Sequence, residues 1–336
     1  MAKVAINGLG RIGRAAFKII LDTPELELVS VNDLIHVENL AYLLKYDTVY
    51  GRYDKTVEYD KEHLIVDGKK YLVLSEKDPT QLPWGRLGVD FVFECTGRFT
   101  KQEDLQKHIS AGAKHVCLSA PSKSEEIVSV VHGVNKAELS SRIISCASCT
   151  TNCITPLVEI MDRRIGIRKA IMTTIHAYTS SQAIIDGPNK RLRRGRAGAA
   201  NLVPSSSGAA VATTKALPQL TGRFDGLAVR VPVPVGSIAD VNFVTARETS
   251  ADEVNAFFKE EAQSERYKGI LGVTEDQIVS SDVIKDPRAS VVDLSLTQVV
   301  DGDLVKVMSW YDNEWGYTNQ MIKEAVRIAG REALAR

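Results

Sequence analysis

The feature that most constrains the fold is a glycine fingerprint near the N-terminus, in which Gly8, Gly10 and Gly13 have the spacing GxGxxG. It follows a β-branched apolar segment, residues 3–7, and it opens a helical segment, residues 11–21. The first glycine permits a tight turn, the second lets the backbone approach a pyrophosphate, and the third allows close helix–strand packing. Amides at the helix N-terminus then point at the phosphates, where the helix dipole favours negative charge. The fingerprint therefore predicts a dinucleotide-binding βαβ unit.

An acidic residue at the expected distance supports this interpretation. Asp33 lies 20 residues beyond Gly13, at the end of a second predicted strand, residues 27–32. Its carboxylate can accept hydrogen bonds from the adenosine ribose, and its charge repels a 2′-phosphate, so NAD is preferred over NADP. The alternative is a structural glycine-rich turn with an unrelated aspartate, which the combined spacing disfavours.

The two halves of the chain differ in their pattern of elements. Strands predicted at residues 90–95 and 115–118 continue the alternation of strand and helix, which predicts a parallel sheet with helices on both faces. The second half has longer strand candidates with fewer helices between them. These strands are residues 170–176, 226–231, 239–246, 291–296 and 304–311, and the helices are residues 150–163, 208–217, 251–264 and 318–335. The sequence therefore predicts an α/β chain, with a Rossmann-type doubly wound parallel sheet followed by an α+β part whose sheet is mostly antiparallel.

Length, charge and cysteine content limit the possible function classes. The 336 residues suffice for about two domains, and 42 basic against 42 acidic side chains give no net charge. A field that attracts nucleic acid or an anionic membrane is therefore not expected. The N-terminus lacks a signal peptide's apolar core, and no apolar stretch approaches the ~18 residues of a membrane-spanning helix. The five cysteines fit free thiols in a reducing cytoplasm better than a disulfide framework.

A cysteine and a histidine form the candidate catalytic pair. Cys149 lies just before an apolar helical run, and the helix dipole favours a thiolate at such a position. An aldehyde is a poor hydride donor until a nucleophile adds to it, and a base must then take the hydroxyl proton. His176 ends a predicted strand 27 residues downstream, so one helix and one returning strand could bring it beside Cys149. The alternative for His176 is a satisfied core histidine.

The other cysteines are interpreted as structural. Three lie on apolar strands or at their ends and are expected to be buried and inert: Cys95, Cys117 and Cys146. Cys153 follows Cys149 by one helical turn. A metal site of Cys146, Cys149 and Cys153 with His176 would have C-x2-C-x3-C spacing, which lacks the closed pairs of common zinc sites. The sequence therefore predicts no metal.

Groups suited to an anion recur in the second half: Thr150, Thr179, Arg194, Ser207, Gly208 and Arg230. The serine-rich run at residues 205–210 offers hydroxyls and amides at the start of a helix. Arg230 lies in an otherwise apolar strand, where a charge needs a partner. The basic run at residues 190–196 is interpreted mostly as a solvated or intersubunit surface. Within that run we single out Arg194 as an anion ligand.

With these residues in place, the chain resembles the phosphorylating glyceraldehyde-3-phosphate dehydrogenases over essentially its full length. Eight motifs in order carry the resemblance: INGLGRIGR (6–14), VNDL (31–34), LLKYDTVYG (43–51), ASCTTNC (147–153), TTIHAYT (173–179), PSSSGAA (204–210), RVPVP (230–234) and WYDNEWGY (310–317). The resemblance implies a cytoplasmic homotetramer whose subunits have an NAD domain (1–148, joined by the C-terminal helix 313–336) and a catalytic domain (149–312). It implies that glyceraldehyde 3-phosphate is oxidised with inorganic phosphate through a Cys149 thioester, with His176 as base.

The resemblance also implies a role for each remaining site residue. Thr179 and Arg230 would hold the phosphate of the substrate. The attacking inorganic phosphate would be held by Ser148, Thr150, Arg194, Ser207 and Gly208. The cofactor would be held by Gly8, Gly10, Arg11, Ile12, Gly13, Asp33, Lys77, Ser119 and Asn313, with Arg11 and Ile12 at the pyrophosphate and Asn313 at the nicotinamide amide.

The departures from the family pattern leave some assignments open. The basic loop is one residue shorter than in animal-type sequences, so Arg193, Arg194 and Arg196 compete for one role. Ser207 stands where threonine is common and keeps the hydroxyl. Two other functions are weighed: an erythrose-4-phosphate dehydrogenase, which tends to lack the phosphate pattern at Thr150 and Ser207, and a binding protein with vestigial catalysis. The intact Cys149, His176 and Asp33 argue against the second.

Overall fold

The computed structural model describes residues 1–138 and 140–334. The chain divides into two compact units. Unit 1 comprises Met1–Val130, Lys136–Ala147 and the C-terminal segment from Met321. Unit 2 comprises Val131–Asn135 and Ser148–Gln320.

The elements of unit 1 alternate between strand and helix at its start. Its strands are β1 (Ala2–Asn7), β2 (Leu26–Asn32), β3 (Tyr46–Asp47), β4 (Gly51–Arg52), β5 (Val57–Tyr59), β6 (His63–Val66), β7 (Lys69–Leu74), β8 (Phe91–Glu94), β9 (His115–Leu118), β10 (Val128–Ser129) and β11 (Ile143–Ser145). Its helices are α1 (Arg11–Leu21), α2 (Val37–Lys45), α3 (Trp84–Leu87) and α4 (Gln102–Ser110). The helix predicted at residues 11–21 agrees with α1, whereas α2, α4 and the antiparallel strands β5 and β6 were not predicted.

Within the described residues, unit 1 contains a nine-stranded sheet in the order β10-β11-β9-β8-β1-β2-β7-β6-β5. The ladders from β10 to β7 are parallel, and β6 and β5 add an antiparallel edge. The central strands are buried on both faces, because β1 and β8 consist largely of fully buried apolar residues. Such strands are typical of a sheet covered by helices on both sides. The carboxyl ends of β1, β2 and β8 therefore meet at one edge, where ligands bind in folds of this class.

Unit 2 has one helix before its first strand, and further strands and helices follow. Its elements are α5 (Cys149–Ile165), β12 (Ile167–Ala177), β13 (Val203–Ser206), α6 (Ala209–Ala216), β14 (Phe224–Val231), β15 (Ser237–Thr245), α7 (Ala251–Gln263), β16 (Leu271–Thr274), β17 (Ser290–Asp293), β18 (Gln298–Val300), β19 (Leu304–Tyr311) and the first part of α8 (Trp315–Leu334). The segment predicted as a strand over 291–296 is shorter in the structure, because Leu294–Leu296 turns into a 3-10 helix capped by Asp293.

The sheet of unit 2 runs in the order β13-β14-β12-β15-β19-β17-β16. Only the β12–β14 and β16–β17 ladders are parallel among those described, so the predicted mostly antiparallel sheet is confirmed. Helix α5 packs on this sheet with Leu157, Ile160 and Met161 fully buried. The two predicted sheet types thus both occur, which confirms the fold class.

Candidate active site and dinucleotide cleft

The start of α5 and the end of β12 bring together the two residues of the predicted catalytic pair. Ser148 caps α5, because its hydroxyl accepts from the backbone N–H of Thr151 at 3.1 Å. Cys149 is therefore the first helical residue. Its Sγ lies 3.4 Å from Nε2 of His176 on β12. A thiol and an imidazole at this distance can exchange a proton.

The other ring nitrogen of His176 is held by the backbone. Its Nδ1 lies 2.7 Å from the carbonyl oxygen of Ala177, and Nη1 of Arg230 lies 2.5 Å from Nδ1 and 3.0 Å from the same carbonyl. A carbonyl can only accept, so the bond to Ala177 places the ring proton on Nδ1 and leaves the lone pair of Nε2 for Cys149. Arg230 then donates to the Ala177 carbonyl rather than to the ring.

Burial determines the charge state of this pair. Burial raises the pKa of the Cys149 thiol above its usual value, although the charge of Arg230 lowers it. Burial also lowers the pKa of His176 to about 3, and the charge of Arg230 acts in the same direction. These shifts favour a thiol beside a neutral imidazole. The thiolate expected from the helix dipole stays a prediction, since burial opposes it but the Cys149 side chain is only half-buried.

Tyr311 is a site residue to which the sequence assigned no role. Its hydroxyl lies 2.9 Å from Oγ1 of Thr150 and 2.8 Å from Oγ1 of Thr174, and its ring meets His176 edge-on at 5.9 Å between centroids. Thr150 is buried, so its hydroxyl is directed to Tyr311. Tyr311 thus packs against His176 and bonds to Thr150, the residue that follows Cys149. The only sequence signal was its place in the WYDNEWGY motif.

Two arginines of unit 2 are partly buried without a carboxylate partner among the described residues. Arg194 donates from Nε to Oγ of Ser205 at 2.8 Å and from Nη1 to Oγ of Ser181 at 3.2 Å. The Ser181 hydroxyl lies 2.9 Å from Oγ1 of Thr179. Burial, together with the charges of Arg230 and Arg191, lowers the pKa of Arg194 to about 10. Arg194 and Arg230 are therefore close enough to repel each other, which an anion would relieve.

The competing arginines of the same loop differ from Arg194. Arg196 is exposed and pairs with Asp186, with 2.6 Å between Nε and Oδ2. Arg193 is exposed. Ser207 lies nearer the start of α6, where its hydroxyl accepts from the N–H of Ala209 at 3.2 Å, and Gly208 is exposed beside it. Of the three arginines, Arg194 alone bonds to residues next to Thr179.

Unit 1 has a cleft of about 340 Å³ at the carboxyl edge of its sheet. The lining residues are Asn7, Gly8, Gly10, Asn32, Asp33, Leu34, Ile35, Glu76, Lys77, Cys95, Thr96, Arg98 and Phe99.

The three glycines of the fingerprint, Gly8, Gly10 and Gly13, differ in the space around their Cα atoms. A Cβ on Gly13 would lie 1.9 Å from the carbonyl oxygen of Gly8, and one on Gly8 would lie 2.7 Å from the N of Thr96. A Cβ on Gly10 would meet nothing within 4 Å, so its backbone faces open space, as a pyrophosphate site requires.

The remaining cofactor candidates are placed as follows. Asp33 is bonded to the segment that carries the three glycines, residues 8–13, which we call the glycine loop. Its Oδ2 accepts from the N–H of Leu9 at 2.7 Å. The guanidinium of Arg11 pairs with Asp47 at 2.6 Å, so it is the helix-terminal backbone of Arg11 and Ile12 that remains for a phosphate. Ser119 donates its N–H to the carbonyl of Glu94. In unit 2, Asn313 accepts at Oδ1 from the Ser237 hydroxyl at 3.0 Å, which leaves its Nδ2 group as the donor toward a ligand.

The other cysteines are free thiols. Cys117, Cys146 and Cys153 are buried, whereas Cys95 is half-buried and lines the cleft of unit 1, where the sequence had predicted an inert buried thiol. The Cys153 sulfur lies 3.6 Å from Oγ of Ser290.

No cluster of metal-ligating side chains occurs in the part of the chain that the structure describes. No helix among these residues is long and apolar enough to cross a membrane.

Comparison with known proteins defines first the class and then the family. The family model for the NAD binding domain of glyceraldehyde 3-phosphate dehydrogenase matches residues 2–102, and the model for the C-terminal domain of that enzyme matches residues 148–313. Together with the Rossmann-type sheet and its cleft, these matches make the chain an NAD-dependent oxidoreductase. The chain belongs to the glyceraldehyde-3-phosphate dehydrogenase family. The predicted family, enzyme class and cofactor are thereby confirmed.

Similar curated proteins cover nearly the whole chain. A glyceraldehyde-3-phosphate dehydrogenase of Streptomyces coelicolor is 50% identical over 333 residues, which is 98% of this chain and 99% of that protein. One from Geobacillus stearothermophilus is 46% identical and covers 98% of both chains. One from Zymomonas mobilis is 45% identical over 97% of this chain and 98% of its own length. The similarity is therefore spread over both units.

Proposed function

We propose that the protein oxidises D-glyceraldehyde 3-phosphate to 1,3-bisphosphoglycerate, with inorganic phosphate and NAD as co-reactants. The observation that carries the proposal is the Cys149–His176 pair, at 3.4 Å between Sγ and Nε2, in the same unit as two arginines that lack carboxylate partners. The pair suits addition to an aldehyde, and the arginines suit a phosphorylated substrate. The names of the relatives point to the same substrate.

The first step forms a bond between Sγ of Cys149 and the aldehyde carbon. As the C–S bond forms, the thiol proton passes to Nε2 of His176, so the resting neutral pair is converted to a sulfur adduct and an imidazolium. The N–H of the imidazolium and the Cys149 backbone amide then stabilise the oxyanion. A positive imidazolium is costly at this buried position, which favours transfer of its proton to the oxyanion of the adduct.

The second stage makes and uses a thioester. NAD, when bound, supplies the hydride acceptor. His176 holds the proton released as the adduct becomes a thioester on Cys149. Inorganic phosphate then attacks the thioester carbonyl, the C–S bond breaks, and the acyl phosphate leaves. Exclusion of water from the thioester conserves the oxidation energy that hydrolysis would lose.

We infer two phosphate positions in unit 2. Arg230 and Thr179 would bind the phosphate of the substrate. The attacking phosphate would be bound by Ser148, Thr150, Arg194, Ser207 and Gly208. Support comes from the hydrogen bonds that connect Arg194 through Ser181 to Thr179. Thr150 is the weakest of the set, since its hydroxyl already forms a hydrogen bond with the Tyr311 hydroxyl.

We infer that the residues of unit 1 that hold the cofactor are Gly8, Gly10, Arg11, Ile12, Gly13, Asp33, Lys77 and Ser119. For Asn313, a role at the nicotinamide amide is what the resemblance implies. The open space at Gly10 and the carboxylate of Asp33 in the cleft fit a dinucleotide. On this assignment, residues 1–148 with 313–336 form the NAD domain, and residues 149–312 form the catalytic domain.

We further propose a homotetramer in a reducing cytoplasm. The segment from residue 181 to residue 203 exposes large apolar side chains that a single subunit does not cover, with Ile184 at 90% and Leu192 at 85% exposure. Surfaces of this kind mark protein–protein contacts. The five free thiols fit a reducing compartment. Light scattering after gel filtration should give the mass of four chains, and Leu192→Asp should reduce it, whereas a monomeric wild type would contradict the assembly.

NADH formation tests the proposed reaction. Glyceraldehyde 3-phosphate is compared with erythrose 4-phosphate, each with and without inorganic phosphate. We expect sustained turnover only with glyceraldehyde 3-phosphate and phosphate together, and none in the Cys149→Ser variant, which should still bind NAD. Faster, phosphate-independent turnover of erythrose 4-phosphate would instead favour an erythrose-4-phosphate dehydrogenase. Absence of turnover with either aldehyde would favour a binding protein.

A further inference from the structure

A chain of buried polar side chains crosses the carboxyl edge of the sheet in unit 1. Glu94 ends β8, Asn7 ends β1 and Asn32 ends β2. Nδ2 of Asn32 donates to Oδ1 of Asn7 at 2.7 Å, and Nδ2 of Asn7 donates to Oε2 of Glu94 at 2.6 Å. Asn32 also bonds both backbone groups of Glu76, at 2.8 and 2.9 Å. The ends of three parallel strands and the segment after β7 are thereby tied together.

Glu94 is the only charged residue in this chain of bonds whose side chain is fully buried, at 0% exposure. Oε2 accepts from Nδ2 of Asn7 and lies 3.2 Å from Nε2 of His108. Oε1 accepts from the N–H of Thr96 at 2.8 Å and from the Thr96 hydroxyl. Four donors therefore fill both oxygens, which is what a buried carboxylate requires.

His108 is oriented for this role by Trp84. The indole Nε1 of Trp84 lies 3.0 Å from Nδ1 of His108, and both residues are fully buried. Because an indole N–H can only donate, Nδ1 accepts and the ring proton is on Nε2, where it faces Glu94. Trp84 therefore fixes the orientation of the His108 ring, so that its Nε2–H donates to the Glu94 carboxylate.

Two of the groups that Glu94 holds belong to neighbouring walls of the cleft. Asn7 precedes Gly8 of the glycine loop. Thr96 begins the segment from residue 96 to residue 99, and its hydroxyl accepts from the N–H of Arg98 at 3.1 Å. The two walls are in close contact, since a Cβ on Gly8 would lie 2.7 Å from the N of Thr96. A shift of the carboxylate would move both walls.

We propose that Glu94 is a positioning residue for NAD, which sets the separation of the glycine loop and the Thr96 segment through its bonds to Asn7 and Thr96. Trp84 and His108 hold the carboxylate in place. The inference rests on the proposed binding of NAD in this cleft. Its effect falls on cofactor affinity and not on the chemistry at Cys149.

Glu94→Gln is the direct test. Glutamine keeps the size of the side chain, but its NH2 group faces two donors and cannot accept from either. We expect the Kd for NAD, measured by calorimetry, and the KM for NAD to rise about tenfold. The kcat at saturating NAD and the rate of Cys149 alkylation without NAD should match wild type. Glu94→Asp, which keeps the charge, should fall between the two.

Two further variants separate positioning from simple stability. Ser30→Ala removes a fully buried hydroxyl that donates to the carbonyl of Leu72 at 3.1 Å outside this chain of bonds, so it should lower Tm without changing the Kd for NAD. Thr96→Val keeps shape and the backbone donor, and should weaken NAD binding severalfold even if Glu94→Gln fails to fold. Wild-type affinity in folded Glu94→Gln, or in Thr96→Val when Glu94→Gln does not fold, would overturn the inference.

Asp33→Ala distinguishes failure of this inference from failure of the cleft assignment. If Asp33→Ala changes the preference between NAD and NADP while the Glu94 and Thr96 variants bind NAD normally, only the positioning role is wrong. If Asp33→Ala changes neither affinity nor preference, NAD does not bind in this cleft, and both proposals are overturned.

Discussion

His176 and Arg230 occupy paired positions on the parallel strands β12 and β14, and the Ala177 carbonyl contacts both side chains, 2.7 Å from Nδ1 of His176 and 3.0 Å from Nη1 of Arg230. The strand register thus places a buried cation beside the imidazole that faces Cys149. Burial lowers the pKa of the imidazole and the cation lowers it further, while the cation also lowers the pKa of the thiol below the value that burial alone would give. One side chain therefore influences both members of the pair.

Removal of the Arg230 charge should make the thiol harder to ionise. In Arg230→Gln we expect the pH profile of Cys149 alkylation by iodoacetamide to shift to higher pH, because the positive charge that favours the thiolate is gone. The KM for the phosphorylated aldehyde should also rise at least tenfold with the loss of a charge-assisted contact. Arg196→Gln is the matched control, since that arginine is exposed and pairs with Asp186. An unshifted profile in Arg230→Gln would contradict the electrostatic role.

The glycines of the fingerprint should separate folding from cofactor binding. In Gly13→Ala the new Cβ would lie 1.9 Å from the carbonyl oxygen of Gly8, so helix and loop must move apart and Tm should fall in the absence of NAD. In Gly10→Ala the new Cβ meets no protein atom, and φ is −65°. We therefore expect Gly10→Ala to keep the wild-type Tm but to bind NAD at least tenfold more weakly, as measured by calorimetry. Normal NAD affinity in Gly10→Ala would place the pyrophosphate elsewhere.

The Tyr311 hydroxyl should contribute to stability and to the alignment of the pair. Tyr311→Phe keeps the ring against His176 but leaves the buried hydroxyls of Thr150 and Thr174 without this partner. We expect the free energy of unfolding in urea to fall by about 1–3 kcal/mol. The kcat should fall more than the KM changes, because the ring that packs on His176 is less firmly held. A variant with unchanged stability would show that these hydrogen bonds contribute little.

An ion-pair cluster on α5, in which Glu159 pairs with Arg163 and Arg266, should make the stability of unit 2 sensitive to acid. Burial raises the pKa of Glu159, but the hydrogen bonds from Arg163 and Tyr267 outweigh it, so the pKa lies below its ordinary value of 4.5. A carboxyl group whose pKa is lower in the folded protein than in the unfolded chain stabilises the fold at any pH above its unfolded pKa. This stabilisation is lost as the pH falls from the unfolded pKa through the folded pKa. Glu159→Gln should therefore lower the free energy of unfolding by about 1–3 kcal/mol at neutral pH.

The same variant provides its own control in acid. Once the wild-type carboxylate is protonated, the difference between wild type and Glu159→Gln should shrink toward zero. Arg247 and Glu253 form an exposed pair on the surface, and Glu253→Gln should have little effect at either pH. A difference at Glu159 that stays constant from neutral pH into acid would contradict the ion-pair explanation.

Local sequence patterns predicted the parts of the molecule that depend on nearby residues. Helix α1 was predicted with its observed ends, since the glycine fingerprint and the apolar periodicity are both local. The meeting of Cys149 and His176 was predicted from one helix and one returning strand. The Thr150–Tyr311 bond was not, because it joins residues 161 positions apart and depends on the β15–β19 register.

Electrostatics and side-chain direction were the least predictable features. The expectation of a resting thiolate considered the helix dipole but not burial, which raises the pKa of the Cys149 thiol. Arg194 could not be separated from Arg193 and Arg196 by sequence, since loop geometry decides which guanidinium turns inward. The strands β5 and β6 were missed because they are only three and four residues long, too short for a periodic pattern.

The thioester on Cys149 is tested most directly by mass spectrometry of the enzyme after acid quenching, with glyceraldehyde 3-phosphate and NAD present and inorganic phosphate absent. We predict one phosphoglyceroyl group per subunit, on the Cys149 peptide, together with a matching burst of NADH. Added phosphate should discharge the group, and His176→Asn should form it much more slowly. NADH formation with no acyl group on Cys149, or an unchanged burst in Cys149→Ser, would contradict the thioester route.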